Sequence, residues 1–313
     1  MTAIPSAGGR IGVIVMAYGT PARPEDIEAY YTHIRRGRPP SADQVDDLTR
    51  RYAALGGTST LAARTADQVT AIAAALEDLE PGRFVVRLGQ KHASPFIEDA
   101  VSALAEEGVT GVVGVVLAPH YSGASIGEYQ ARATAAAEAV GVPSVGVSRW
   151  HDLPEHRSFL AAAVNDARAT MPDGSRVVFT AHSLPERLLE GDPYPDELRE
   201  SAEAIATEAG LETPAGWSLA WQSAGATPEP WRGPDVLAVI EELATSGAPG
   251  VVVCPQGFVT DHLEVAYDLD IEAARVAAEA GLAFGRTRTP NDDPAVMAAL
   301  ARRVNDTAAA LSS

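Results

Sequence analysis

The side chains able to do chemistry in this sequence gather in a few short motifs. In "RVVFTAHSLPERLLEGDPYP", Arg176 to Pro195, an apolar run gives way to His182 and then to a polar, proline-broken segment. An imidazole at the end of a strand is either a satisfied core side chain or a proton acceptor and metal ligand facing a cleft. A second motif, "GFVTDHLEVAYDLDIEA" over residues 257–273, is acidic. If that segment is helical, Glu264, Asp268 and Glu272 fall at i, i+4 and i+8 and make one carboxylate stripe. The segment itself holds no lysine or arginine to relieve the repulsion. The stripe is either a solvated helix face or, together with imidazole, a donor set for a hard or borderline divalent cation.

A third motif suits anions. "HIRRGRPP" places Arg35, Arg36 and Arg38 within four residues, and "GGTST" runs from Gly56 to Thr60. Beyond a plain solvated loop, guanidinium forks and a hydroxyl can hold carboxylate groups. His92 in "KHASPFIEDA" is a weaker candidate, and the two tryptophans of "WQSAGATPEPW" read more readily as packing than as a ligand platform. The sequence has no Gly-x-Gly-x-x-Gly, no phosphate-binding Gly-x-x-x-x-Gly-Lys and no Gly-x-Ser-x-Gly. Nucleotide and serine-hydrolase chemistry therefore lose support.

The elements that must position these residues alternate in type. Short β-branched runs at 11–17, 83–89, 111–118, 143–147, 176–181, 217–222 and 250–255 predict strands buried on both faces. Helical periodicity fills 61–79, 95–107, 125–140, 156–170, 195–209, 234–246 and 291–311. This alternation predicts an α/β fold with parallel sheets, seven or eight strands in all. "SRWHDLPEH" interrupts the pattern near its middle, so we expect two sheets in two domains, 1–148 and 149–313, with the last helix able to pack back on either half. Ligands of such sheets lie beyond the carboxyl ends of the strands. Tyr18, His92, His120, His182, Gln222, Ser223 and the "QGF" after Cys254 all fall there.

Composition narrows the partners. The chain has 313 residues, 46% of them hydrophobic and 21% charged, the balance of a soluble globular protein. A formal charge of −18 disfavours nucleic acid and favours cations. The single cysteine, Cys254, excludes an internal disulfide and any cluster held by several thiolates. "MTAIPSAGGR" does not read as a secretory signal, and no apolar run approaches the roughly 18 residues of a membrane span, so the expected location is the cytoplasm.

Taken together, "VIVMAYGTP", "YYTHIRRGRPPS", "KHASPFIEDAV", "LAPHYS", "TAHSLPERLLEGDPYP", "WQSAGATPEPWRGPDV" and "GFVTDHLEVAYDLDIEA" resemble the ferrochelatase family from about residue 11 to 290. The polar stretch "PPSADQVDDLTRRYAALGG" is similar to the branch acting on coproporphyrin III rather than to membrane-associated relatives that take protoporphyrin IX.

The resemblance implies two Rossmann-like, chelatase-type domains with a porphyrin cleft between them, the last helix packing back on the first, and insertion of Fe2+ into coproporphyrin III in haem biosynthesis. It makes His182 and Glu264 the catalytic, metal-binding pair, puts Tyr18 at the metal's other face and makes Asp268 and Glu272 a metal path. Arg35, Arg51, Ser59, Gln68 and Tyr129 would line the propionate pocket, and His92 would mark a second metal site. It further implies a monomer with no cofactor beyond its iron substrate, no iron–sulfur cluster with Cys254 alone, no membrane or nucleic-acid partner, and transient contact with a coprohaem decarboxylase. The competing expectations are a protoporphyrin enzyme, a cobalt or nickel chelatase for sirohydrochlorin, and a porphyrin- or haem-binding protein without chemistry.

Overall fold

The computed structural model describes residues 9–57, 59–211, 216–225 and 227–312. Residues 1–8, on which the absence of a secretory signal was read, lie outside the described residues, as does Thr58 of the "GGTST" loop. The chain forms two compact units, each built on a four-stranded parallel sheet.

In the first unit the strands are β1 (Ile11–Ala17), β2 (Phe84–Gln90), β3 (Gly111–Val116) and β4 (Ser144–Val147), in the order β2-β1-β3-β4. β1 pairs through Ile11 with Phe84 of β2 and Gly111 of β3. Every residue of β1 and β3 is buried, as continuous apolar runs require of central strands covered by helices on both faces. Of two helices that periodicity did not mark, Ile27–Ile34 is capped at its end by Arg35 and Ala42–Ala54 carries Arg51. Each buries only one residue, Ile27 and Tyr52. Ser41 starts the second of them with a capping box, accepting from the Gln44 amide while the Gln44 side chain accepts from Ser41 N–H.

The second unit repeats the topology with β5 (Arg176–His182), β6 (Trp217–Gln222), β7 (Gly250–Cys254) and β8 (Ala283–Arg286), in the order β6-β5-β7-β8. β8 has only four residues, all half-buried, too short and too mixed to stand out in the sequence. Packing of Val178, Ile240, Val251, Val253, Leu269 and Ala277 fixes one face of this sheet; Leu160, Val177, Phe179, Ile205 and Cys254 fix the other. Cys254 is fully buried there, and burial raises its thiol pKa to about 12.

The units divide after Trp150, whose indole is buried and donates to Val116 O. Pro119–Gly123, the "PHYSG" of the first half, packs with the second unit: Tyr121 N–H donates to Glu197 at 2.7 Å and Gly123 N–H to Asp192 at 2.7 Å. The final helix, Pro294–Ala308, returns to the first unit, where Arg83 reaches Asn305 and Arg303 reaches Arg149 O. Among the described residues no helix is long and apolar enough to cross a membrane.

Candidate active site

In the second unit the strand order reverses between β5 and β7, and the loop after β7 crosses the end of β5, with Gly257 N–H donating to Thr180 O at 3.1 Å. A Cβ on Gly257 would stand 2.6 Å from Ala181 Cβ, so the close approach depends on glycine. This crossing brings the acidic motif to His182, at the switch point where parallel sheets bind ligands.

His182 ends β5, paired with Gln222 of β6. Its Nδ1 contacts the Ser183 carbonyl, which can only accept, so Nδ1 carries a proton. Its Nε2 lies 3.3 Å from Glu264 Oε1, and the two side chains are 33% and 38% exposed. Burial by itself would lower the imidazole pKa. The Glu264 charge and hydrogen bond, the Ser183 carbonyl and the Asp268 charge outweigh it and raise the pKa to about 9. Near neutral pH, without metal, the pair is an imidazolium facing a carboxylate.

Glu264 has a second imidazole neighbour, His262, whose Nε2 stands 3.6 Å from Oε2. Burial lowers the pKa of His262, with the Glu264 charge opposing. The glutamate is therefore bracketed by one charged and one neutral ring. His262 was not singled out from the sequence, although it lies two residues from Glu264 within the quoted motif. Tyr194 adds a hydrogen bond from its hydroxyl to His182 O at 3.3 Å.

The acidic stripe is not one regular helix. Residues 257–262 are not helical; an α-helical turn covers Leu263–Ala266, and Asp268–Ala273 is π-helical, with Glu272 N–H donating to Tyr267 O five residues back. The wider turn places Asp268 inward, 9% exposed, where it accepts from Ser223 Oγ at 2.5 Å. Glu272 follows, half-buried. Among the described residues no three His, Cys, Asp or Glu side chains converge closely enough to hold a metal ion. Two donors, His182 and Glu264, form a contact pair.

The remaining candidates lie in the first unit. Tyr18 follows β1, is 43% exposed and packs its ring 4.7 Å from that of His92. His92 Nδ1 faces His33 Nδ1 at 3.0 Å, and burial, then the Lys91 charge, lowers the His92 pKa to about 4. Arg35 ends its helix with Nε on Arg38 O at 3.2 Å, and Arg51 donates to Asp47 at 3.0 Å. Ser59 Oγ accepts from Leu61 N–H at 3.1 Å. Gln68 and Tyr129 are buried: Gln68 donates to Asn291 O at 2.9 Å, and Tyr129 lies under the Lys91 ammonium. Both lie deep within this unit. The sequence did not disclose this, because neither residue type announces its depth.

This fold and site define an α/β protein of the chelatase type. Solved structures titled "SirB from Bacillus subtilis with Fe3+" and, for Bacillus subtilis subspecies spizizenii, the sirohydrochlorin chelatase SirB in complex with cobalt share the fold. Their TM-scores are 0.57 and 0.51 at 14% and 13% identity, each covering 96% of both chains. The chain belongs to the ferrochelatase family, whose model, described as Ferrochelatase, matches residues 10–308. Relatives named coproporphyrin III ferrochelatase include those of Halalkalibacterium halodurans, 46% identical over 93% of this chain and 95% of the relative, and of Geobacillus kaustophilus, 45% identical over 93% of each. The Bacillus subtilis relative is 43% identical, with 93% and 96% covered.

Proposed function

We propose that this chain inserts Fe2+ into coproporphyrin III, forming four Fe–N bonds while two N–H bonds break and two protons are released. The observation that carries the reading is the His182–Glu264 pair at 3.3 Å, an imidazole at the end of β5 facing a carboxylate on the helical turn Leu263–Ala266 of a ferrochelatase-family chain. Membership of that family and the names of the relatives support the substrate.

In this reading Fe2+ arrives by way of Asp268 and Glu272 and meets Glu264 and His182. The proton shared by the pair must leave when the cation binds, because an imidazolium cannot ligate. Once the metal has passed into the macrocycle, both groups are again free to accept protons, the role that an imidazole or carboxylate serves in general acid–base catalysis. Tyr18 serves as a further metal contact and His92 as a second metal site. Arg35, Arg51 and Ser59 hold propionates, with Gln68 and Tyr129 supporting that pocket from beneath. Binding energy from the propionates is available to bend the macrocycle toward the geometry in which its nitrogen lone pairs are accessible. The same reading includes a monomeric, cytoplasmic enzyme without a resident cofactor, handing its product to a coprohaem decarboxylase.

The test is anaerobic incubation with Fe2+ and either coproporphyrin III or protoporphyrin IX, following conversion of the free-base to the metalloporphyrin absorption spectrum. Faster turnover of coproporphyrin supports the proposal. Preference for protoporphyrin refutes the substrate, and tight porphyrin binding without insertion refutes the enzyme.

A further inference from the structure

The end of β6 is built with more hydrogen bonds than strand pairing needs. Gln222 is 1% exposed, and both ends of its amide are used: Oε1 accepts from Thr180 Oγ1 at 2.7 Å, and Nε2 donates to Glu264 O at 2.8 Å. A carbonyl only accepts, so the amide orientation is fixed by chemistry. Thr180, fully buried, lies on β5 two residues before His182. A chain of two buried hydrogen bonds thus links the strand that carries His182 to the main chain of the residue facing it.

Ser223, the next residue, has φ +59, the left-handed region that glycine enters without strain and serine does not. Its hydroxyl donates to Asp268. A strained serine that spends its hydroxyl on a buried carboxylate points to a role for that contact.

We propose that Gln222 and Ser223 together form the positioning element for the two carboxylate residues, Gln222 setting Glu264 opposite His182 and Ser223 holding Asp268 behind it. The inference rests on the iron-insertion reading for its consequence, although the geometry it describes does not. Neither residue touches the reacting atoms; both act through groups that do. Displacement of a metal contact by an ångström suffices for a large loss in rate. The two residues thus act on handling of the cation rather than on porphyrin affinity.

The experiment compares the full chain with Gln222→Met, Ser223→Gly, Thr180→Val and Thr180→Ser. For each we would measure the thermal midpoint, KM for Fe2+ and for porphyrin, kcat, and the His182 imidazole NMR signals, assigned by their loss in His182→Ala. Ser223→Gly relieves strain, so its midpoint should equal or exceed that of the parent while kcat/KM for Fe2+ falls about tenfold or more and porphyrin KM stays within about twofold. Gln222→Met and Thr180→Val should show the same split and displaced His182 signals, and Thr180→Ser, which keeps the hydroxyl, should recover most of the loss. Parental kcat/KM for Fe2+ in Ser223→Gly and Gln222→Met overturns the inference. Should the parent chain insert no iron, the iron reading falls. The His182 signals then decide the positioning claim, supporting it if Gln222→Met moves them and refuting it if they stay.

Discussion

His182 Nε2 and Glu264 Oε1 face each other at 3.3 Å, and His182 Nδ1 is committed to the Ser183 carbonyl. Both ring nitrogens thus meet acceptors, which is why the imidazole holds its proton to about pH 9 against the pull of burial. This arrangement has a specific consequence for a metal-transfer site: cation and proton compete for one nitrogen.

Glu264→Gln removes the charge that sustains the imidazolium and leaves burial as the dominant influence. The His182 pKa should fall from about 9 to below the ordinary 6.5, read by NMR titration. The sign for stability follows. A raised folded-state pKa stabilises the metal-free fold fully below about pH 6.5, and this contribution is lost as pH rises through about 9. Urea midpoints of the parent should therefore decline across that window, while those of Glu264→Gln stay flatter. An unchanged His182 pKa in the variant would show that Glu264 is not its partner in solution.

His182→Ala takes away one of two donors and a proton acceptor. Iron insertion should fall by about 10² or more, within the range for removing a positioned acid–base group, with porphyrin binding nearly unchanged. The check is kcat against a fluorescence-quenching titration with porphyrin. Near-parental insertion would sink the assignment of the pair.

How far these residues were legible beforehand differs with what positions them. His182 stood out because it closes an unmistakable apolar run, β5, and Glu264 because it opens a row of carboxylates at helical spacing. The carboxylate stripe was read at regular α-helical spacing, and that reading failed at the π-helical segment Asp268–Ala273. Nothing in "DLDIEA" encodes an extra residue per turn; the contact of Asp268 with Ser223, 45 residues earlier, belongs to the tertiary structure. The helices Ile27–Ile34 and Ala42–Ala54, each burying a single residue, were not marked, although the Ser41–Gln44 capping box is a legible start signal for the second. Gln68 and Tyr129 could be placed on helices but not at a depth, which depends on the helix Pro294–Ala308 and on Lys91.

Arg51 is a test of the anion rim. Its guanidinium already has Asp47 at 3.0 Å and is 34% exposed, so a propionate must share it or displace the carboxylate. Arg51→Ala should raise porphyrin KM several-fold with kcat little changed, because a rim contact made equally in ground and transition states affects binding alone. Asp47→Ala should lower that KM by freeing the guanidinium. If neither variant moves KM, Arg51 is a helix-surface ion pair with no part in substrate binding.

The second unit also carries an acid-sensitive feature away from the proposed chemistry. His156, on the helix Pro154–Arg168, is fully buried, and its pKa is lowered to about 4, first by burial and then, against an opposing hydrogen bond, by the charge of His151. His120 is also buried, stacks on His151 at 5.0 Å and is held well below the ordinary range by the same burial and by both neighbouring rings. A histidine kept neutral in the fold but able to protonate when unfolded destabilises the fold as pH drops. The loss begins near 6.5 and is complete below about 4, and for His156 alone it amounts to on the order of 3 kcal/mol. Chemical-denaturation stability between pH 7 and 4 should therefore fall steeply in the parent. It should fall less in His156→Leu, whatever that substitution does to the plateau at pH 7, because a leucine cannot take up the proton. An acid limb of equal slope in both proteins would mean that His156 takes up its proton alike in the folded and unfolded chain, and that burial does not hold it neutral.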